Sequence, residues 1–336
     1  MDFQSVGDLA SSFLMQRQNT SLKTQMSRLT QELASGRSSD LTRQLSGSFG
    51  QLADVEHQMQ LQQSLGTATA EAALFTSSMQ SALALVQDQA SELGQLSALA
   101  NTTPGATLRS SVAVAAGGHL DAIISALNTD VAGRPLFSGA DLDGAPLASA
   151  GDILSAVRTA TAGSLDAADF MARLDGFFDT PGGDFETLIY QGGTTNLSPY
   201  QLGEGQSVQL SIRADDPAFR DAIKYTVAAA LADDATLTLG DGSRDAIVRQ
   251  AGEALLTQAG RVTRIQADLG YAESRIEQSS VRIAAELTSL EYARSSLVAV
   301  DPFETATELE NVRFQLETLY TVTARSARLN LMSFLS

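Results

Sequence analysis

The chain has 336 residues, 43% of them hydrophobic and 18% charged, and its 22 Lys and Arg against 39 Asp and Glu give a formal net charge of −17. That balance excludes nucleic acid as a partner, because no basic stripe exists to displace phosphate counterions, and it argues against an anionic membrane surface as well. The absence of cysteine, with only two histidines, excludes disulfide frameworks, zinc clusters and thiol catalysis, while the composition is too apolar for a disordered acidic chain and the length allows two or three domains.

The opening segment, MDFQSVGDLASSFLMQRQNTS, has neither a basic n-region nor the apolar stretch of a signal peptide, and nowhere do 18 apolar residues run together. Taken alone this predicts a cytoplasmic protein, and it is compatible with export by a machine that reads something other than a cleavable signal. Leu22, Met26, Leu29 and Leu33 then step by four, three and four, a single apolar stripe on a helix. Residues 1–103 lack proline, which permits a long second helix over 47–100. In it Ala72, Met79, Val86, Leu93 and Ala100 form a heptad row with Phe75, Ala82 and Leu96 beside it. Asn101-Thr102-Thr103-Pro104-Gly105 makes a turn, and a third helix over 107–130 packs through Val112, Leu120, Ile123, Ile124 and Leu127.

Residues 133–245 hold five of the seven prolines and the turn clusters Thr180-Pro181-Gly182-Gly183 and Gly192-Gly193-Thr194-Thr195. Val208-Gln209-Leu210-Ser211-Ile212 alternates with period two, with Leu188-Ile189-Tyr190 as the strand to pair with it. Short amphipathic helices are predicted over 152–161, 166–178 and 218–232, and Leu237 to Gly242 closes this insertion in a turn.

Beyond it the periodicity is clearest. Val262, Leu269, Ile276, Ile283, Leu290 and Leu297 fall at seven-residue spacing, with Ile265, Ala272 and Leu287 in a second row, the signature of a coiled-coil or bundle seam. Helices over 47–100 and 246–299 would each run about 80 Å, and equal lengths suit antiparallel packing. Asp301-Pro302 starts the last helix, in which Leu309, Val312, Leu316, Leu319 and Val322 step by three and four. Each end segment has one stripe and about 30 residues, marginal in isolation, so the two ends need each other or copies from neighbouring subunits. The expected fold is mainly α with an α+β insertion: a long antiparallel coiled-coil bundle formed by both chain ends. Three domains are expected, 1–45 with 302–336, 46–132 with 246–301, and the insertion 133–245.

Candidate chemistry is scarce. His57 and His119 lack an acidic cluster at ligand spacing. Asp141-Leu142-Asp143-Gly144 resembles the start of a calcium loop but lacks the third oxygen ligand and the closing glutamate. Asp215-Asp216 and Asp233-Asp234 are the acid pairs a glycosidase-like site would need, yet each flanks a predicted short helix, where a first-turn or loop position explains them. The Gly-Gly pairs at 117–118, 182–183 and 192–193 match no phosphate-binding fingerprint. No catalytic, cofactor-binding or metal residues are assigned, and an enzyme is not expected. Stripes on both termini suggest instead a subunit that stacks through its terminal helices; packing of those helices within one monomer is the alternative.

Arg28-Leu29-Thr30-Gln31-Glu32-Leu33-Ala34-Ser35-Gly36 resembles the N-terminal signature of the flagellin family, in which a heptad helix ends in Leu-x-Ser-Gly. The tail from Asn311 to Leu335 resembles the matching C-terminal signature, with Leu329, Leu331, Phe334 and Leu335 at its closing positions. Gly133-Arg134-Pro135-Leu136-Phe137-Ser138-Gly139 is similar to the Gly-Arg-x-Leu-Phe-x-Gly element of the family's hook–filament junction branch, hook-associated protein 3. Tyr190-Gln191-Gly192 and the run from Ile212 to Phe219 are similar to that branch too, and the Asn-Thr-Asn opening of flagellins is missing.

The resemblance implies a structural adaptor at the flagellar hook–filament junction, or alternatively flagellin itself, exported through the flagellar apparatus to the cell exterior without a cleaved signal. It further implies terminal helices that fold against neighbours only on assembly. The partners it implies are the hook-side junction protein, flagellin, further copies in a ring and a cytosolic export chaperone. Residues 133–245 carry −10 of the net charge and 46–132 carry −6, which leaves the ends close to neutral, where stacked copies would otherwise repel.

Overall fold

In the computed structural model the backbone is described for residues 3–47, 49–102 and 104–335, and side chains for 10–47, 49–100, 102 and 104–325. The proline-free ends become long helices: α1 (Phe3–Ser35), then a short α2 (Leu41–Gln44), α3 (Gly50–Ala98) and α4 (Ala106–Leu127). A small hairpin follows, β1 (Asp130–Val131) with β2 (Arg134–Pro135), then α5 (Ala150–Thr161), α6 (Ala167–Asp179), a second hairpin of β3 (Tyr200–Gly203) with β4 (Gln206–Val208), and α7 (Pro217–Leu231). The chain ends in α8 (Asp241–Val298) and α9 (Pro302–Leu335). Two compact units result, a terminal unit of Met1–Gln63 with Ala285–Ser336 and a body unit of Ser64–Ala284.

Within the body unit, the α3 and α8 segments run antiparallel. The pairs Gly66 with Ile283, Gln80 with Gln266, and Gly94 with Leu256 step along the two helices in opposite directions. The heptad rows face inward as their spacing requires: Ala72, Met79, Val86 and Leu93 on one helix and Val262, Leu269, Ile276 and Ile283 on the other are all buried. Leu290 and Leu297, later in the same row, are half-buried within the terminal unit. The closest approach in the body falls at two glycines. A Cβ on Gly252 would lie 2.6 Å from the Ser97 Cβ, and one on Gly94 would lie 3.0 Å from Leu256, so only glycine lets the two backbones meet there.

α4 is long and apolar enough to cross a membrane by length and composition, with mean hydropathy 1.3. Its Val112, Ala116, Leu120, Ile123 and Leu127 stripe is nevertheless wholly buried in the core, where the helix packs on α7. The short helices are capped as their sequences dictate. Ser149 accepts the Asp152 N–H, Asp166 accepts the Asp169 N–H, and Asp216 accepts the Ala218 N–H with Pro217 in the first turn of α7. Phe177, Phe178 and Phe185 stack under them with ring centroids 5.2 and 5.4 Å apart.

Two local expectations give way. The alternating run 208–212 keeps its alternation, with Val208 and Leu210 buried and Gln209 and Ser211 exposed, but it does not pair with 188–190. Its first residue pairs instead with Tyr200, because Glu204-Gly205 closes a local hairpin with Gly205 at φ +67°, and a local turn costs less chain entropy than a distant partner. Leu188 lies in a single π turn, Phe185–Ile189, and is exposed. The turn expected through Gly242 ends earlier, since α8 starts at Asp241. Arg244, one turn in, donates to the carbonyls of Ala232, Asp234, Leu237 and Leu239 and ties the end of α7 to the start of α8.

Candidate assembly interface

In the terminal unit, α1 and α9 pack antiparallel. The Thr323 hydroxyl meets the Met15 sulfur at 3.7 Å near one end, and at the other the Ser38 N–H donates to the Val298 carbonyl and the Val300 N–H to the Gly36 carbonyl. Leu22 and Leu29 of α1 bury against Leu309, Val312 and Leu316 of α9, with Met26 and Leu319 half-buried alongside. Leu33, from the same stripe, is 38% exposed, and Val322 is exposed as well. The positions Leu329, Leu331, Phe334 and Leu335 lie outside the residues whose side chains are described.

The signature around residues 28–36 is a helix-ending device. Gly36 takes φ +67° and its N–H returns to the Glu32 carbonyl, a left-handed helix stop that only glycine adopts without strain. The Ser35 hydroxyl accepts the Arg37 N–H at 3.3 Å, and Arg37 then bridges antiparallel to Ala299. Asp301, just before Pro302, caps α9 by accepting the N–H groups of Phe303 and Glu304 at 2.8 and 3.2 Å. Between the helices a polar cleft of about 190 Å³ is lined by Arg28, Glu32, Asp40, Arg43, Glu304 and Glu308, among others.

Exposed aromatic rings stand on the outer sides of the pair, turned away from the buried seam. Phe303 and Phe314 are 84% and 71% exposed. Eleven residues apart, they fall on one side of α9, and at 100° per residue Leu309, Val312 and Leu316 point roughly the other way. Phe13, 65% exposed, stands in the same relation to Leu22 and Leu29 on α1. None of these three aromatic residues stands out from the sequence alone, because their spacing acquires meaning only once the inward stripe is known.

The remaining motif residues meet inside the body unit, where they build a junction rather than a surface. Ala132 and Gly133, at φ +53° and +78°, turn β1 into β2. Arg134 then pairs with Glu71 and lies 4.9 Å over the Phe75 ring. Leu136 and Phe137 are buried, Phe137 edge-on to Phe219 at 5.9 Å. Gly139, at φ +67°, sits where a Cβ would come within 2.5 Å of the Thr195 carbonyl.

The other two motifs close on the same place. The Ala214 N–H donates to the Phe137 carbonyl, the Gly193 N–H to the Ser138 carbonyl and the Tyr190 hydroxyl to the Gly193 carbonyl. Burial, with Asp215 close by, pushes the Tyr190 hydroxyl up to about 12, so it stays a neutral donor. Arg213 grips Asp215 through two bonds of 2.9 Å and Asn196 at 2.7 Å. Residues 133–139, 190–193 and 212–219 are thus one knot.

The acidic pairs are engaged as structural partners. Asp216 caps α7, Asp233 pairs with Arg109, and Asp234 pairs with Arg158 at 2.6 Å. The buried Arg109 guanidinium also reaches Asp241 and Asp245, both at 2.8 Å. Lys224, almost wholly buried, is held by Asp175, Asp179 and Asp221, and although burial lowers its affinity for a proton those carboxylates raise it well above the ordinary lysine value. Asp141 accepts the Asp143 N–H in a tight turn. His57 is exposed and His119 lies 2.7 Å from Gln89, and among the described residues no group of three or more His, Asp or Glu is placed to hold a metal.

The sequence pattern of the bacterial flagellin C-terminal helical region matches residues 253–335, which take in much of α8 and all of α9. Among solved structures, FlgL of Bacillus cereus shares the fold, with a TM-score of 0.52 and 14% identity over 72% of this chain and 100% of that one. No curated protein sequence matches the chain.

Proposed function

From a C-terminal region that matches the flagellin pattern and a fold shared with FlgL, we propose that the chain is a flagellin-family protein and the adaptor subunit joining hook to filament. At the coarser level it is a structural subunit of the flagellar axis, not an enzyme, and works outside the cell. The observation that carries assembly is the set of exposed aromatic rings on the outer sides of the terminal pair. Phe13 on α1 and Phe303 and Phe314 on α9 stand in solvent, turned away from a seam that is already closed, and aromatic rings are enriched where proteins bind one another. Burying those rings against neighbouring copies contributes about 1.5–3 kcal/mol each, gained only in the polymer.

Support for the adaptor over flagellin comes from the knot formed by residues 133–139, 190–193 and 212–219, whose sequence resembles the junction branch. In this reading residues 1–45 with 302–336 are the assembly domain, 46–132 with 246–301 the surrounding bundle, and 133–245 the outward insertion. The hook-side junction protein, flagellin and copies in a ring are its partners, with a cytosolic chaperone before export. Leu22, Met26, Leu29, Leu33, Leu309, Val312, Leu316, Leu319, Leu329, Leu331, Phe334 and Leu335 line the assembling ends.

Deleting the gene tests the role: flagellin should be secreted but left unassembled, and the purified protein should not polymerise into long filaments. Normal filaments in the deletion strain would overturn the adaptor reading, and self-assembly into filaments would favour flagellin.

A further inference from the structure

Glu32 is the buried carboxylate of the terminal unit, 3% exposed. It does not face a matched cation across a helix pair. One oxygen accepts both the backbone N–H of Ser39 at 3.0 Å and the Ser39 hydroxyl at 2.6 Å, while Arg28, one turn back on α1, approaches at 3.3 Å. Ser39 sits seven residues on, beyond the Gly36 stop, so the carboxylate reaches past the end of its own helix and holds the chain that leaves it. That held stretch makes the Ser38 to Val298 and Val300 to Gly36 bonds, and Gln44 beyond it donates to the Ala299 carbonyl at 3.0 Å.

The charged groups lining the same cleft are Arg28 on α1, Asp40 and Arg43 on the following segment, and Asp301, Glu304 and Glu308 at the start of α9. Carboxylates outnumber the two arginines, so the surroundings beyond Ser39 and Arg28 favour a proton on Glu32. Burial does the same, yet the two Ser39 donors and Arg28 outweigh it and hold the Glu32 carboxyl below the ordinary glutamate value.

We infer that Glu32 is the positioning residue of the terminal unit: its ionised carboxylate latches Ser39, sets residues 36–38 in register with 298–300, and releases them when it is protonated or made neutral. The role belongs to the single chain and is independent of the junction reading. Its sign follows from linkage. A carboxyl held below its unfolded value stabilises the fold above that value, and the stabilisation is lost as pH falls through the lower folded value. The latch is therefore shut at neutral pH and opens in acid.

The test uses the full-length, unassembled protein labelled for NMR. Between pH 7 and pH 3 the Ser39 amide proton should titrate with a midpoint below the ordinary glutamate value, and the Ser38 and Val300 amides should move with the same midpoint. In Glu32→Gln all three should lose that transition. At pH 7 the Ser38 and Val300 amides of Glu32→Gln should exchange about tenfold faster than in the wild type, the loss expected when a charged acceptor is removed. In Ser39→Ala the amide still titrates, with its midpoint raised because one donor is gone. A Ser39 amide that ignores pH would overturn the latch, as would Ser38 and Val300 amides that stay put while Glu32 protonates. Wild-type exchange in Glu32→Gln would do the same. Should Glu32→Gln fail to fold, the wild-type and Ser39→Ala titrations decide the question.

Discussion

In the body unit Met79, Val86, Leu93, Val262, Leu269 and Ile276 are each 2% exposed or less, and in the terminal unit Leu29, Leu309, Val312 and Leu316 are nearly as well buried. The two seams follow the same heptad spacing. They differ in what lies behind them. The body helices belong to a core that continues through the α4 stripe and on to Phe137 and Phe219, whereas the terminal helices turn Phe13, Phe303 and Phe314 into solvent. A core with several layers is stable by itself; a two-helix seam with five buried apolar side chains among the described residues is marginal until something covers its outer sides. One repeat thus serves a finished domain in one place and an unfinished one in another.

The difference can be broken from either side, and the variants are taken in order of their effect on the body unit. Phe137→Ala removes a fully buried ring from the knot and should cost about 3–5 kcal/mol. Urea unfolding followed by circular dichroism would show it, and an unchanged midpoint would mean that the motif is not part of the core. Gly252→Ala should cost about 1–3 kcal/mol by forcing α8 from α3. Gly94→Ala should cost less, because its new methyl meets the movable end of Leu256 rather than Ser97 and the Ala98 backbone; equal losses would count against the close approach.

The pair Leu316→Asp and Leu319→Asp should leave the body midpoint where it is, while charge on the closed seam separates α1 from α9. Limited proteolysis should then cut the ends freely, and motility should be lost; a normally motile variant would count against the terminal pair as the assembling element. Phe303→Ser with Phe314→Ser should change the stability of the isolated chain by no more than about 0.5 kcal/mol, as surface substitutions do. The same pair should impair assembly as severely as the aspartates, and assembly at wild-type level would remove these two rings from the interface.

Much of this was legible in advance. The proline-free stretches predict helices over 47–100 and 246–299 and the apolar stripe from Val112 to Leu127 one over 107–130, and the structure has them at 50–98, 241–298 and 106–127. Val262 to Ile283 needed only the rule that every seventh residue of a packed helix faces its partner. The hairpin of residues 200–208 was missed because Val208 to Ile212 alternates convincingly without saying which strand lies beside it. The knot was visible as three separate motifs, with nothing in the chain to announce that Ala214 would donate to Phe137, 77 residues earlier.

The sequence by itself determined where helices run, where they stop and which stripe each one hides, because these depend on backbone sterics, capping and periodicity within a few turns. Gly36 and Asp301 fall in that class. Only the tertiary structure decided which apolar residues were left over and what Glu32 holds. Phe303 and Phe314 mean nothing until Leu309, Val312 and Leu316 have turned inward. Likewise Glu32 is one more acid in an acidic chain until Gly36 swings Ser39 back to meet it. Long-range packing chooses among faces that local rules leave equivalent, and in this chain that choice separates the surface that is finished from the surface still open to a partner.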